Sequence, residues 1–146
     1  MTQATAIAPR RRRGFSLVEL SVVVIIIGVL AAFGVPRLLA SVERSKASEA
    51  FNYLAAVRSA QERFQARQGI YASSIADLDV TQSAPTYFTT PTVIAAGGSA
   101  DLETSWQLSL ARDGASSGYG AYTVVFDQDG FSASSTIPNG INPQGT

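Results

Sequence analysis

The sequence predicts an α+β fold: one long N-terminal helix, apolar in its first half and amphipathic in its second, packed on a small antiparallel sheet of three or four strands. Three observations predict it. Residues Phe15 to Val35 form an apolar run whose one charge is Glu19. Phe51, Leu54, Val57, Ala60 and Phe64 then recur at spacings of three and four, the period of a helix with one apolar face. Beyond Tyr71 the period changes to two, as strands require.

The first element follows a leader, Met1 to Arg13, that ends in Arg10-Arg11-Arg12-Arg13. A run of bases either binds nucleic acid or holds a membrane segment's N-terminus in the cytoplasm. The 21 residues from Phe15 to Val35 favour the second reading. As helix they span about 31 Å, close to the ~30 Å hydrocarbon core of a bilayer. Basic leader, then apolar run, predicts a single pass with the N-terminus inside. A cleaved secretory signal is the competing reading, with Ala32-Phe33-Gly34 as its exit. Against it stand the length of the run and the acid near its start. A carboxylate in hydrocarbon is costly and points to a functional site with a partner.

The helix continues over residues 37–68 with a different character. Arg44, Lys46, Arg63 and Arg67 lie mostly off the apolar stripe, and Arg58 and Glu62 are spaced to form an exposed pair. Gly69 fits a C-terminal cap. Gly28, Gly34 and Pro36 are its weak points, because glycine favours the unfolded chain and an internal proline removes a hydrogen bond.

The head reads as strands and loops over residues 72–137. Ser105–Ala111 alternates, with Trp106, Leu108 and Leu110 on one face. Tyr122–Phe126 does the same through Tyr122, Val124 and Phe126. Phe131–Ser135 is a short return strand. Tyr87–Ile94 is a poorer strand because Pro91 interrupts it. Asp113-Gly114 and Asp129-Gly130 signal turns, and Gly97-Gly98 and Ser116-Ser117-Gly118 mark loops. Residues Pro138 to Thr146 read as a loose end.

Composition excludes several functions. Cysteine and histidine are both absent, which removes disulfides, thiolate nucleophiles, Cys/His zinc sites and histidine bases. No nucleophile–base set, phosphate loop or metal cluster is visible, so neither enzyme activity nor a cofactor is expected. The one Trp, five Tyr and seven Phe are explained by core packing. The formal net charge of zero hides an asymmetry. Residues 37–68 carry six bases against three acids, whereas residues 69–146 carry Arg112 against seven acids.

The string Arg13-Gly14-Phe15-Ser16-Leu17-Val18-Glu19 resembles the processing motif of type IV prepilins and of the related pseudopilins of type II secretion. Gly28 and Pro36 also stand where that family's apolar helix has glycine and proline. The short leader and the Phe that would begin the mature chain resemble the a-class pilins. Gln68-Gly69-Ile70-Tyr71 resembles the family's helix-ending glycine-x-tyrosine, although Ala72 stands where proline is common. The C-terminal disulfide of many pilins has no counterpart here.

The resemblance implies a pilin-like protein with a leader over 1–14, a transmembrane and assembly helix over 15–36, and a globular domain over 37–146. It implies cleavage after Gly14 by prepilin peptidase, N-methylation of Phe15, and polymerisation into a type IV pilus. Its partners are then copies of itself, the peptidase, the inner-membrane assembly platform and, before assembly, membrane lipid. The chain would sit first in the inner membrane and then in an extracellular pilus or a periplasmic pseudopilus. A pseudopilin of a type II secretion system shares the same motif. A monomeric membrane-tethered or secreted binding domain is the remaining alternative. After cleavage Phe15 carries an amine with a pKa near ~8, and Glu19 of a neighbouring subunit is its natural counter-ion in hydrocarbon. Asp127 and Asp129 before Gly130 resemble part of a calcium loop, which some pseudopilins have in this region, but lack the remaining ligands of an EF-hand. A solvated hairpin turn is the simpler reading of those two aspartates.

Overall fold

The computed structural model describes residues 14–98, 101–112 and 118–145. The run Arg10–Arg13, the turn Asp113-Gly114 and the pair Ser116-Ser117 lie outside them. The chain falls into two units that divide between Pro36 and Arg37.

Helix α1 covers Leu17–Gln68, and the helical assignment runs through Gly28, Gly34 and Pro36. In the first unit its side chains from Leu17 to Val35 are all exposed. In the second unit the helix buries one face. Ala47, Ala50, Phe51, Leu54, Val57 and Ala60 are inside, while Phe64, the last of the expected stripe, is half-buried. The helix ends at Gly69, whose φ of 81° is open to glycine at little cost, and whose N–H donates to the Gln65 carbonyl at 2.7 Å. Fully buried Gln61 clamps the chain that leaves the helix. Its amide donates to the Ala72 carbonyl at 2.9 Å and accepts from the Ala72 N–H at 2.8 Å.

Four antiparallel strands form one sheet in the order β1-β2-β3-β4. They are β1 (Phe88–Thr89), β2 (Gln107–Arg112), β3 (Tyr122–Asp127) and β4 (Gly130–Phe131). The central pair runs in register from Gln107↔Asp127 to Arg112↔Tyr122. That register places Leu108 beside Phe126 and Leu110 beside Val124. With Trp106 these side chains cover the helix stripe and make the core. Each large apolar side chain so withdrawn from water stabilises the fold by roughly 1.5–3 kcal/mol. Phe51 meets Phe126 edge-on at 5.6 Å and stacks on Phe131 at 5.2 Å, tying helix to hairpin.

The head departs from expectation in three places. The Tyr87–Ile94 segment joins the sheet only at Phe88 and Thr89, before Pro91, and beyond it pairs instead with the 73–75 segment through a bridge from Val93 to Ser74. The return strand expected over Phe131–Ser135 stops at Phe131. Beyond it Ser132 and Thr136 still donate to the Val125 and Thr123 carbonyls, but the N–H groups of Thr123 and Val125 donate to the Thr136 and Ser135 hydroxyls, so side chains replace carbonyls in half of the ladder. The tail is not loose: Ile141 is fully buried, and the Pro143 carbonyl accepts from the Arg44 guanidinium at 3.3 Å.

Candidate assembly helix and its two glutamates

Gly14, Phe15 and Ser16 precede the helix and are exposed. Ser16 caps it. Its hydroxyl accepts from the Val18 N–H at 3.3 Å, and the Glu19 carboxylate reaches back to accept from the Ser16 N–H at 2.9 Å. This reciprocal pair is a capping box. The Ser-x-x-Glu spacing at 16–19 signals it in the sequence, where Glu19 was read for its charge alone. The box turns the carboxylate toward the N-terminus of the helix, where helix-dipole charge is positive. One carboxylate oxygen, Oε2, makes that bond.

Behind Glu19 lies an apolar surface that the described part of its own unit leaves uncovered. An 18-residue window of the helix reaches a mean hydropathy of 2.6 with no residue of it buried. Phe15 is 80% exposed and Leu30 66%. Water disfavours such a surface, so it needs lipid or protein around it. The helix is long and apolar enough to cross a membrane. Gly28 and Gly34 have open space where a side chain would stand.

Of the calcium candidates, Asp127 ends β3 and Asp129 is the second residue of the two-residue turn before β4. The Asp127 carboxylate accepts from the Asp129 N–H at 3.0 Å, and Gln128 donates to Asp129 at 3.1 Å. Among the described residues no group of three or more His, Cys, Asp or Glu is placed to hold a metal ion.

A second glutamate on the same helix was not singled out by the sequence reading. Glu43 is fully buried in the globular unit. Arg112, at the end of β2, donates to it through Nε at 2.8 Å and Nη2 at 3.4 Å. The Tyr122 hydroxyl donates at 3.1 Å and Lys46 lies at 3.5 Å. Burial pushes the Glu43 carboxyl upward, but the bonds from Arg112 and Tyr122 and the cation charges outweigh it and hold the carboxyl below its ordinary value. The same bond to Glu43 raises the Arg112 guanidinium against its own desolvation. Burial, then the Glu43 charge, drives the Tyr122 phenol well up. The cluster joins helix to sheet through a fully paired charge, an arrangement for position rather than chemistry.

Residues 9–35 match the family description "Prokaryotic N-terminal methylation motif". The chain carries that motif. It spans the basic run, Gly14, Phe15, Glu19 and the apolar run through Val35. Chains similar to this one include the type IV major pilin of Myxococcus xanthus, 45% identical over 42% of this chain and 28% of that protein. The type II secretion system core protein G of Vibrio cholerae is 32% identical over 53% of each chain. A fimbrial protein of Eikenella corrodens is 31% identical over 60% of this chain and 57% of its own length. The chain thus spans from about a quarter to somewhat over half the length of these relatives. No solved structure matches it. The motif-bearing chain is therefore similar, over part of its length, to a type IV major pilin and to type II secretion core proteins G, and its long helix packs on a four-stranded antiparallel sheet.

Proposed function

We propose that this chain is a structural subunit of a type IV pilus, cleaved after Gly14, N-methylated on Phe15 and polymerised through its apolar helix. The observation that carries the reading is the fully exposed apolar surface from Leu17 to Val35, preceded by Gly14-Phe15 and bearing one carboxylate. Such a surface is satisfied by lipid before assembly and by the same surface of neighbouring copies after it. In that packing Glu19 accepts the Phe15 amine of an adjacent subunit, which neutralises two poorly solvated charges and sets axial register. Gly28, Gly34 and Pro36 are the positions where the helix would yield as it leaves lipid. The chain enters the inner membrane with its N-terminus cytoplasmic, and its partners are the prepilin peptidase, the assembly platform and its own copies.

A second reading, a pseudopilin of type II secretion, is favoured by one observation. Core proteins G of several bacteria align over about half of this chain, a longer stretch than the motif at residues 9–35.

The test joins processing to filament formation. Replacing Gly14 with a bulky residue is expected to leave the leader attached, so the membrane-bound chain stays about 1.5 kDa heavier by mass spectrometry, at roughly 110 Da for each leader residue. Mature-mass protein from that variant would refute cleavage after Gly14. Surface filaments that vanish in a deletion strain support the pilus. Intact surface filaments together with lost protein secretion support the pseudopilus.

A further inference from the structure

Charge in the globular unit is sorted along its helix. At the beginning of the unit Arg37 and Arg44 are exposed, while Lys46 lies over the Tyr87 ring at 5.0 Å. The two acids at this level are engaged internally: Glu43 is buried on Arg112, and the Glu49 carboxylate accepts from the Thr86 N–H at 3.0 Å. Other acids among the described residues stand farther on. Asp79 pairs with Arg63 at 2.8 Å, the Glu103 carbonyl accepts from Gln65, and Gln128, between Asp127 and Asp129, accepts from Arg58 through its carbonyl. Helix positions 58–65 stand roughly 20–30 Å beyond Arg44 at the rise of an α-helix. Among the described residues the unit is therefore basic where it begins and acidic farther on.

The basic end is also apolar. Leu38, Leu39, Val42 and Tyr87 are exposed there, by 64%, 45%, 44% and 46%. Val42, Ser45, Lys46, Glu49 and Tyr87 line one shallow groove. Exposed bases, aliphatic side chains and a half-exposed tyrosine make the composition that favours the headgroup layer of a membrane.

We infer that this end of the globular unit is a binding face for anionic phospholipid headgroups. The inference rests on the reading that residues 15–35 span the bilayer. Arg37 follows Pro36 directly, so chain connectivity then holds the basic end at the membrane surface in every unassembled subunit. Bases on the translocated side run against the usual charge bias of membrane segments, and a headgroup-binding role accounts for them. Arg37 and Arg44 take the lipid phosphate, Leu38, Leu39 and Val42 enter the acyl boundary, and Tyr87 lies at the headgroup level. The acidic groups near positions 58–65 are repelled from the same surface, so the unit stands with its basic end down.

The test uses the full chain in vesicles of phosphatidylcholine with or without an equal part of phosphatidylglycerol. The absence of native cysteine makes Ser45→Cys a single labelling site, and Glu103→Cys a control at the acidic level. Alkaline extraction comes first: a chain that washes off overturns the spanning reading itself. For the retained chain, a fluorophore at position 45 is quenched by nitroxide-labelled phosphatidylglycerol or phosphatidylcholine. The anionic lipid is expected to be favoured at position 45 by roughly fivefold per exposed base. Molar salt is expected to abolish the preference. So is Arg37→Gln/Arg44→Gln with its circular dichroism unchanged, and Arg37→Gln alone is expected to lower it partway. Position 103 is expected to show no preference. Equal quenching by the two lipids at position 45 would overturn the inference, as would quenching that falls with rising protein-to-lipid ratio, the sign of a second copy covering the face.

Discussion

Glu19 and Glu43 belong to the same helix and have opposite fates. Glu19 stands at the head of a surface with no buried residue, where its one bond among the described residues is to the backbone N–H of Ser16. Glu43 is enclosed by an arginine, a tyrosine and a lysine supplied by the helix and the sheet. A carboxylate whose cation comes from the fold belongs to stability. One to which the described fold offers only a helix cap is left for an external cation, as the proposed assembly role requires, and that separates the exposed half of the helix from the half that packs on the sheet.

The largest expected effect breaks the Glu43 side of the contrast. Arg112→Ala leaves a buried carboxylate without its main cation, and should destabilise the globular unit by about 3–5 kcal/mol. Denaturant unfolding of the detergent-solubilised chain, followed through buried Trp106, measures it. Replacing the pair together, as Glu43→Met with Arg112→Leu, should restore most of that loss, because apolar side chains of similar volume need no partner. A double variant as unstable as the single one would show that the cluster's geometry matters more than its charge.

Acid should reproduce part of the same loss. Folding lowers the Glu43 carboxyl, so its contribution to stability is whole above the ordinary value of 4.5 and drains away as pH falls through the lower folded value. The unfolding midpoint should therefore drop below about pH 4.5, and drop less steeply in Glu43→Gln. Asp79, held low by Arg63, contributes with the same sign, but that pair is half-exposed and screened by salt. Repeating the titration in high salt isolates the buried pair.

Glu19→Ala sharpens the contrast from the other side. Cleavage at Gly14–Phe15 should proceed, and the unfolding midpoint of the globular unit should not move. Filament sheared from cells should fall sharply or disappear. Normal filament yield would refute the pairing of Glu19 with a neighbour's amine. The smallest expected effect is loss of the capping box, on the order of 1 kcal/mol or less in local helix stability, visible as faster amide exchange at Val18 and Glu19. Ser16→Ala tests that alone, because it keeps the Glu19 charge.

The sequence reading reached the helix stripe, the two central strands and the cap at Gly69 because each is a local pattern. It missed the buried ion pair although both halves extend patterns it used. The inward alternation Trp106, Leu108, Leu110 reaches Arg112 in one more step, and the spacing of four back from Phe51 passes Ala47 to Glu43. Each charge taken alone argues for ending the apolar pattern. Together they complete it, because each is the other's partner. The tail was missed for a related reason. Pro138 to Thr146 has no periodicity, and Ile141 is buried only because helix, sheet and tail meet around it.

The sequence by itself determined the division of labour along the helix. A 21-residue run with one acid is apolar on every face, and a stripe of period three and four is apolar on one, whatever the rest of the chain does. It also determined the N-terminal methylation motif at residues 9–35, which is contiguous. Tertiary structure decided which charges are buried, where the return strand ends and what holds the tail. Those outcomes depend on residues as distant as Glu43 and Arg112. A side chain's desolvation cost has its sign settled only when the partner that offsets it is in place.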